Sequence, residues 1–417
     1  MKVLMLSWEY PPHIVGGMGK HVVELVPELL ADGVEVHLVV PKLRGGQPCE
    51  PLALPDGSPA ANGSRVYRVE PSGTRGDFFA STYHDNISLC EFATQLVEEQ
   101  GGFDLIHNHD WLSSFAAINL KDGFRLPLLT TVHATEMGRN HGNLYGSLQQ
   151  AIHQAEWRAI YESWRVIACS SYMSWELQTY FGVPPEKVDV IPNGIDTRRF
   201  DALNGKDLSE FRLEFAQPDQ PIIYHVGRIV PEKGLSVLVD SVPLVLREWP
   251  QAKFVVAGGG AYVEDLRAKA RALGIEDNII FPGRVSDEVR DRLFKVANVA
   301  VFPSLYEPFG IVALEAMSAG TPVVVTEVGG LPEVVELHRT GITVKPNDPH
   351  SLAWGILHTL KHQEWSATRA SNAGHVARAE FNWARIADQT TRVYRRVADE
   401  ACAGDWAYKV PQEATAT

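Results

Sequence analysis

The chain has 417 residues, which corresponds to about two or three domains, each large enough to bury a core. Hydrophobic residues make up 45% and charged residues 21%, a composition that excludes a disordered or fibrous protein. Lys and Arg number 38 against 51 Asp and Glu, so the net charge of −13 disfavours nucleic acid and anionic lipid as partners.

The cysteines and apolar runs indicate a cytoplasmic protein. Cys49, Cys90, Cys169 and Cys402 show no Cys-x-x-Cys spacing, which predicts reduced thiols rather than a metal centre. No apolar run approaches the roughly 18 residues of a membrane span, and the apolar start, residues 1–6, is too short for a signal peptide. We therefore expect a cytoplasmic chain without stable membrane insertion.

Short apolar runs alternate with helical periodicity in the first half of the chain. A strand at residues 3–6 precedes a helix with an apolar face at 22–30. Further strands are predicted at 34–40, 105–107, 128–132, 166–169 and 188–191. The Gly- and Pro-rich segment 43–64 predicts a mobile surface loop. Continuous apolar strands are typical of a parallel sheet with helices on both faces.

The alternation restarts after an irregular stretch, residues 201–221, which is the best domain boundary. A second α/β unit follows this boundary, with strands predicted at 222–226, 254–257, 279–281, 299–302, 323–326 and 342–344. We predict an α/β protein with two doubly wound Rossmann-like domains, 1–200 and 201–382, facing a central cleft. A last helix is predicted at about 383–402, and 403–417 would form a tail.

The most specific signal follows the predicted strand 299–302. Glu307 and Glu315 stand eight residues apart, and the second falls in an apolar helical stretch, 311–319. A carboxylate there has little reason to exist unless it accepts hydrogen bonds from ligand hydroxyls. The alternative is a solvated side chain on the outer face of the helix.

Two turns predict a diphosphate site. Pro308 suits a first helical turn, so the amides at the helix start would point toward an anion. These amides belong to Phe309, Gly310 and Ile311. Arg228 and Lys233, after the first strand of the second domain, could clamp the anion from another side. A surface ion pair of either residue with Glu232 is the alternative.

These motifs resemble those of the retaining nucleotide-sugar glycosyltransferases of family 4, which have a two-Rossmann-domain (GT-B) architecture and a Glu-x7-Glu signature. The resemblance implies that Glu307, with the amides of Phe309 and Gly310, holds the hydroxyls of the donor sugar. It also implies that Glu315 holds the ribose of the nucleotide. Arg228 and Lys233 match the basic pair of the family's second domain. The predicted last helix, about 383–402, matches the family's last helix, which implies that it joins the first domain.

The amino-terminal loop is similar to the Gly-rich loop of the family. Gly16 and Gly17 would let the backbone approach the donor phosphates. Starch synthases that use ADP-glucose carry Lys-Thr-Gly-Gly-Leu there, whereas residues 14–18 read Ile-Val-Gly-Gly-Met. The missing lysine weakens an assignment to ADP-glucose, so ADP, UDP and GDP all stay open as donor nucleotides.

Segments 103–111 and 131–135 are similar to acceptor-side motifs of glycogen and starch synthases. This implies that His133 lies beside the donor sugar and that Asp110 and Glu9 line the acceptor side. Together with Glu307, Arg228 and Lys233, these residues form the predicted catalytic set.

A metal is not expected. His107 and His109 could suit a metal ion, but histidines at a strand end are more often hydrogen-bonded core residues. The sequence contains no Asp-x-Asp, so the usual carboxylate pair for a divalent ion on a diphosphate is missing. We therefore predict catalysis without a metal or a resident cofactor.

The expected reaction is transfer of a hexosyl unit, such as glucose, from a nucleoside diphosphate sugar to an α-glucan, as in glycogen biosynthesis. Retention of configuration is implied by the resemblance alone. Another acceptor stays open, such as a disaccharide, a small polar molecule or a lipid-linked sugar, and so does a sugar-nucleotide epimerase. A non-catalytic regulator is disfavoured because donor and acceptor motifs are both present.

Two other enzyme classes are excluded. A retaining glycoside hydrolase needs carboxylates about 5 Å apart, whereas a wholly helical path between Glu307 and Glu315 would separate them by about 12 Å. A nicotinamide dehydrogenase would need Gly-x-Gly-x-x-Gly, which the sequence lacks.

Overall fold

The computed structural model describes residues 1–73, 76–404 and 406. The chain divides into two compact units. Unit 1 comprises Met1–Cys169, Met173–Pro192 and Trp383–Thr417, and unit 2 comprises Ser170–Tyr172 and Asn193–Asn382. Most of the predicted tail, residues 405 and 407–417, lies outside the described residues.

Unit 1 is built on an eight-stranded sheet with the order β3-β4-β2-β1-β5-β6-β7-β8. Its strands are β1 (Lys2–Leu6), β2 (Glu35–Pro41), β3 (Cys49–Pro51), β4 (Arg65–Val69), β5 (Leu105–His109), β6 (Leu128–Val132), β7 (Arg165–Ala168) and β8 (Val188–Val190). All neighbours pair in parallel except β3, which runs antiparallel to β4.

Unit 2 contains a six-stranded, fully parallel sheet with the order β11-β10-β9-β12-β13-β14. Its strands are β9 (Ile222–Val226), β10 (Lys253–Ala257), β11 (Ile279–Gly283), β12 (Val299–Phe302), β13 (Val323–Thr326) and β14 (Ile342–Val344). The order reverses between β9 and β12, and in such sheets the carboxyl ends of the strands beside this reversal form the ligand site.

Helices connect the parallel strands in both units. They are α1 (Gly17–Ala31), α2 (Phe78–Glu99), α3 (Ser114–Phe124), α4 (Glu136–Arg139), α5 (Ser147–Glu162), α6 (Ser171–Phe181), α7 (Arg198–Asp201), α8 (Ser209–Leu213), α9 (Leu235–Leu246), α10 (Val263–Ala272), α11 (Asp287–Val296), α12 (Ile311–Ala319), α13 (Leu331–Val334), α14 (Pro349–Lys361), α15 (Gln363–Glu380) and α16 (Trp383–Ala403). No helix among the described residues combines the length and apolarity needed to cross a bilayer.

The last helix returns to unit 1. Trp383, Ile386, Tyr394 and Val397 of α16 are buried in the same core as Val3 and other residues of β1, β2 and α1. The helical stripe read from the sequence is therefore an apolar face that completes the core of the first unit.

The fold class predicted from the sequence is confirmed: the chain is α/β with two doubly wound parallel sheets. One local prediction is partly wrong. The segment predicted as a mobile loop, residues 43–64, contains β3, in which Cys49 lies opposite Tyr67 of β4. Leu52, directly after β3, is only 1% exposed and anchors the segment in the core.

Candidate active site

The predicted donor residues of unit 2 lie on loops that follow two neighbouring strands. Strands β9 and β12 pair directly, with Ile223 opposite Val299 and Tyr224 opposite Ala300. Because parallel strands end at the same edge of a sheet, the loops after β9 and β12 emerge side by side.

Lys233 and Glu307 meet at this edge. The Lys233 ammonium donates a hydrogen bond to Glu307 Oε2 over 2.8 Å, and Ser304 Oγ donates to the same oxygen over 3.2 Å. The backbone supports the contact, because the carbonyl of Glu232 accepts from the amide of Leu305 at 2.8 Å. The structure thus joins two residues that the sequence singled out in separate motifs.

Glycines allow these loops to pack backbone to backbone. A Cβ at Gly234 would lie 1.9 Å from the carbonyl oxygen of Pro303, and one at Gly329 would lie 1.9 Å from that of Glu307. Both glycines have positive φ, 65° and 60°. Gly330 also donates its amide hydrogen to the Glu307 carbonyl over 2.9 Å. The backbone of Glu307 is therefore held by Gly329 and Gly330, and its carboxylate by the side chains of Lys233 and Ser304.

The start of α12 differs from the sequence prediction. The helix begins at Ile311 after Gly310, whose φ is 110°, so Pro308 lies before the helix rather than in its first turn. The backbone bends at Gly310 where it enters the helix. The positive φ at this bend is unfavourable for a residue with a side chain. Only Ile311 of the three predicted amides belongs to the first helical turn; those of Phe309 and Gly310 precede it.

Glu315 is almost fully buried, with 1% exposure, and lies among arginines. Its Oε1 accepts a hydrogen bond from Arg199 over 2.7 Å, and the Arg290 guanidinium is 3.8 Å from the same atom. Asp291 joins the group, at 3.6 Å from Arg199. The solvated alternative is thus wrong, and positive side chains account for a carboxylate in an apolar helix.

Arg228 forms the ion pair that was weighed as the alternative to a diphosphate clamp. Its guanidinium lies 3.5 Å from the Glu232 carboxylate, and its side chain is 46% exposed. An exposed ion pair at this distance contributes little to stability, so the pair leaves Arg228 available to an anionic ligand.

In unit 1, Glu9 organises the Gly-rich loop between β1 and α1. Its Oε2 accepts hydrogen bonds from the amides of Val15, at 2.8 Å, and Gly16, at 3.0 Å. Gly16 precedes the helix, which begins at Gly17, and a Cβ at position 16 would meet open space. Apart from Gly16 and its two chain neighbours, no atom of the described residues comes within 4 Å of such a Cβ, which leaves room for a ligand to approach this backbone.

Asp110 ends β5 in an unusual backbone conformation, with φ 56° and ψ −171°. This region is populated almost only by glycine and costs a non-glycine residue about 1–3 kcal/mol. Neighbouring strands hold it there: the Asp110 amide donates to the carbonyl of Thr131 at 3.0 Å, and its Oδ1 accepts from the amide of His133 at 2.7 Å. Burial raises the pKa of Asp110 to about 7.

His133 belongs to a cluster with His21 and His109, here called the three-histidine cluster. His109 Nδ1 and His133 Nε2 are 3.1 Å apart, and the ring of His21 lies edge-on to His133 at 4.8 Å between centroids. Burial lowers the pKa of both His109 and His133 well below the ordinary value. His109 and His133 are therefore neutral imidazoles at pH 7.

His107 has a structural role. Its Nδ1 is 2.6 Å from the hydroxyl of Tyr394, and its Nε2 is 2.8 Å from Thr131 Oγ1. Burial lowers the pKa of His107 to about 3. It is the hydrogen-bonded core histidine that the strand-end position favours.

Sequence reasoning missed the partners that lie far away in the chain. Arg199 precedes Glu315 by 116 residues, and no local pattern links them. His21 did carry a signal, because it lies on the buried face of α1 together with Met18, Val22 and Leu25. A histidine in an otherwise apolar helix face indicates a buried polar contact.

Comparison with known proteins supports the same family along the chain. Residues 15–199 match the model described as Glycosyltransferase Family 4, and residues 209–376 match the one described as Glycosyl transferases group 1. An uncharacterized glycosyltransferase of Methanocaldococcus jannaschii is 37% identical over 406 residues, 95% of this chain and 98% of that protein. A glycogen synthase of Mycobacterium tuberculosis is 32% identical over 402 residues, 94% of each chain.

The fold is shared with solved structures. The sucrose-phosphate synthase of Thermosynechococcus elongatus superposes with a TM-score of 0.81 and 25% identity, covering 96% of this chain and 99% of that one. The Glu-x7-Glu pair, the two parallel sheets and the near full-length similarity lead to one assignment: the chain is a glycosyltransferase and belongs to family 4 of these enzymes.

Proposed function

We propose that this glycosyltransferase moves a glucosyl unit from a nucleoside diphosphate glucose to an α-glucan with retention of configuration, as a glycogen synthase does. The contact of Lys233 with Glu307 at the carboxyl edge of the unit 2 sheet carries the donor half of the proposal. The 32% identity to a glycogen synthase over 94% of the chain supports the acceptor half.

The donor loops suit a departing diphosphate. Negative charge develops on the leaving group as the glycosidic bond breaks, and fixed positive groups stabilise it. An ammonium has three donor hydrogens, so Lys233 can bind a phosphate oxygen while it holds Glu307. Arg228 and the Ile311 amide would add donors, and Glu307 would hold the hydroxyls of the sugar. A ribose contact of Glu315 rests on the resemblance to the family alone, because Arg199 already donates to its Oε1.

The unit 1 residues suit the sugar and its acceptor. His133 is half-buried and neutral, so it can hydrogen-bond a sugar hydroxyl without a competing charge. Asp110 fixes the backbone of His133, and Glu9 fixes the loop that carries Gly16 and Gly17. None of the four cysteines, all of which lie in the described ranges, forms a disulfide, which suits the reducing cytoplasm as the place of the reaction.

A matrix of donors and acceptors tests the proposal. ADP-, UDP- and GDP-glucose are each supplied with glycogen, with a disaccharide, with a sugar phosphate or with no acceptor, and release of nucleoside diphosphate is followed. We expect release from ADP-glucose or UDP-glucose only when glycogen is present, and incorporation of label into the glucan.

Two outcomes would contradict the proposal. Turnover with a small acceptor but not with glycogen would assign another transferase, and conversion of the donor sugar without acceptor or diphosphate release would assign an epimerase. We also propose that no metal assists the leaving group. Transfer should therefore continue at full rate in excess EDTA, and restoration of a lost rate by Mg²⁺ would overturn that part.

A further inference from the structure

The three-histidine cluster of unit 1 brings three metal-ligand side chains together. One ring nitrogen from each of His21, His109 and His133 lies within 4.8 Å of one from each of the others. We propose that this cluster binds a divalent transition-metal ion of the zinc class, and that the bound ion inhibits transfer by taking His133 away from the donor sugar. The inhibition rests on the proposed function, whereas the binding does not.

The burial of the ligands favours a metal. Imidazole is the commonest metal-binding side chain, and it binds an ion through the lone pair of a ring nitrogen. His109 is 0% exposed, and its Nε2 has no hydrogen-bond partner among the described residues.

The spacing is close to that of a zinc site. Metal–nitrogen bonds of about 2.0–2.1 Å in a tetrahedron place ligand nitrogens about 3.3–3.4 Å apart. His109 Nδ1 and His133 Nε2 are 3.1 Å apart and share a hydrogen bond, so the rings need little movement but the proton between the two nitrogens must leave when an ion binds. His133 is half-buried rather than sealed, so the cluster is accessible from solvent.

The neighbouring groups define the ligand set. His107 lies 4.3 Å from His109 between ring centroids, but its two nitrogens bond Tyr394 and Thr131. It is therefore a supporting residue rather than a ligand. Across the described ranges, no other group of three His, Cys, Asp or Glu ligand atoms converges as these do.

Other metal-binding side chains on the protein must be separated from this site. His358 and His362 are one helical turn apart on unit 2, with ring centroids 4.6 Å from each other. Cys49 and Cys402 are exposed thiols. The test therefore uses the full chain with Cys49→Ser and Cys402→Ser, and His362→Asn serves as the matched control.

Co²⁺ is the spectroscopic probe for binding. We expect one equivalent of Co²⁺ to give the intense visible absorption bands of a tetrahedral site with nitrogen ligands. Added Zn²⁺ should displace the Co²⁺ and abolish these bands. His21→Asn should weaken the affinity by more than the 10–100-fold that loss of a supporting residue costs at metal sites. His362→Asn should leave the affinity unchanged. The proposal would be overturned if the protein with all its histidines gave no such bands. It would also be overturned if His362→Asn abolished the bands and His21→Asn did not.

Activity tests the inhibitory half separately. Zn²⁺ should inhibit transfer as the site fills, EDTA should restore it, and His21→Asn should stay active while resisting Zn²⁺. Full activity with the site occupied would overturn the inhibition. If no donor is turned over at all, the proposed function fails, but the Co²⁺ titration still decides whether the site exists.

Discussion

Lys233 and Glu307 are 74 residues apart in sequence, and their contact depends on the pairing of β9 with β12. The sequence could predict that the two motifs lie near each other, because residues after parallel strands gather at one edge of the sheet. It could not predict the ion pair between Lys233 and Glu307, because that contact depends on side-chain directions in two loops. The same limit explains why the arginines beside Glu315 were missed.

The basic residues of the donor loops give the first prediction. Lys233→Ala and Arg228→Ala should each lower turnover by about 10²–10³-fold at saturating donor, because each removes a positioned donor to the leaving group. Diphosphate release with glycogen is the measurement.

Two residues of unit 2 serve as matched controls. Lys269 also pairs with a carboxylate, and the exposed Arg267 lies 3.5 Å from Glu264 much as Arg228 lies beside Glu232. Their alanine variants should keep normal turnover. If Lys233→Ala and Arg228→Ala behave like these controls, the diphosphate clamp is wrong.

Asp110 gives a prediction on pH dependence. Its folded pKa of about 7 lies above the ordinary value of 3.8, so the folded state binds the proton more tightly. This contribution to stability is full below about pH 4 and is lost as the pH rises to about 7. Asp110→Asn keeps an oxygen for the His133 amide but cannot ionise. The variant should therefore gain stability relative to wild type between pH 4 and pH 7.

Chemical denaturation at several pH values between 4 and 8 measures this change. The difference in unfolding free energy between the variant and the wild type should rise across that interval and then level off. A difference that stays constant with pH would show that Asp110 ionises normally in the folded protein.

At the scale of elements, the loop after β9 packs closely against the loop after β12, and this contact fixes its conformation. The sequence predicted the strands and most of the connecting helices, because apolar periodicity is a local property. The start of α12 was predicted too early, because Pro308 favours a helix start wherever the backbone permits one. Here packing against Gly329 and Gly330 delays the helix to Ile311.

Gly234 tests this close approach. Gly234 and Gly274 have nearly the same φ, 65° and 66°, but a Cβ at 234 would lie 1.9 Å from Pro303 O, whereas one at 274 meets nothing within 4 Å. Gly274→Ala should cost about 1–2 kcal/mol from backbone strain alone. Gly234→Ala should cost more and should also lower turnover, because Lys233 is its neighbour. Equal losses of stability, with activity intact in both variants, would show that the contact is unimportant.

At the scale of the whole molecule, the sequence predicted two sheets and a returning helix, and both are found. The apolar stripe alone does not show which core the helix completes, since it would fit many cores; the resemblance to family 4 implied the first domain. The structure answers this through Tyr394, which is fully buried in unit 1 and hydrogen-bonded to His107.

Tyr394→Ala should therefore destabilise unit 1 by about 3–5 kcal/mol, the usual cost of an aromatic truncation in a core. Hydrogen exchange followed by mass spectrometry should show faster exchange in β1 and β5 and unchanged exchange in β9 and β12. Arg392→Ala, two residues away with a side chain 72% exposed, is the control and should change neither. Faster exchange in unit 2 alone would contradict the assignment of this helix.

The return of α16 has a consequence for synthesis on the ribosome. Domains commonly fold in the order in which they are translated. Here the amino-terminal unit lacks part of its interior until the final helix, Trp383–Ala403, has left the exit tunnel, whereas unit 2 is complete after Asn382. The second unit translated can thus be the first to reach its native state, while the nascent amino-terminal portion keeps apolar surface uncovered in the interval.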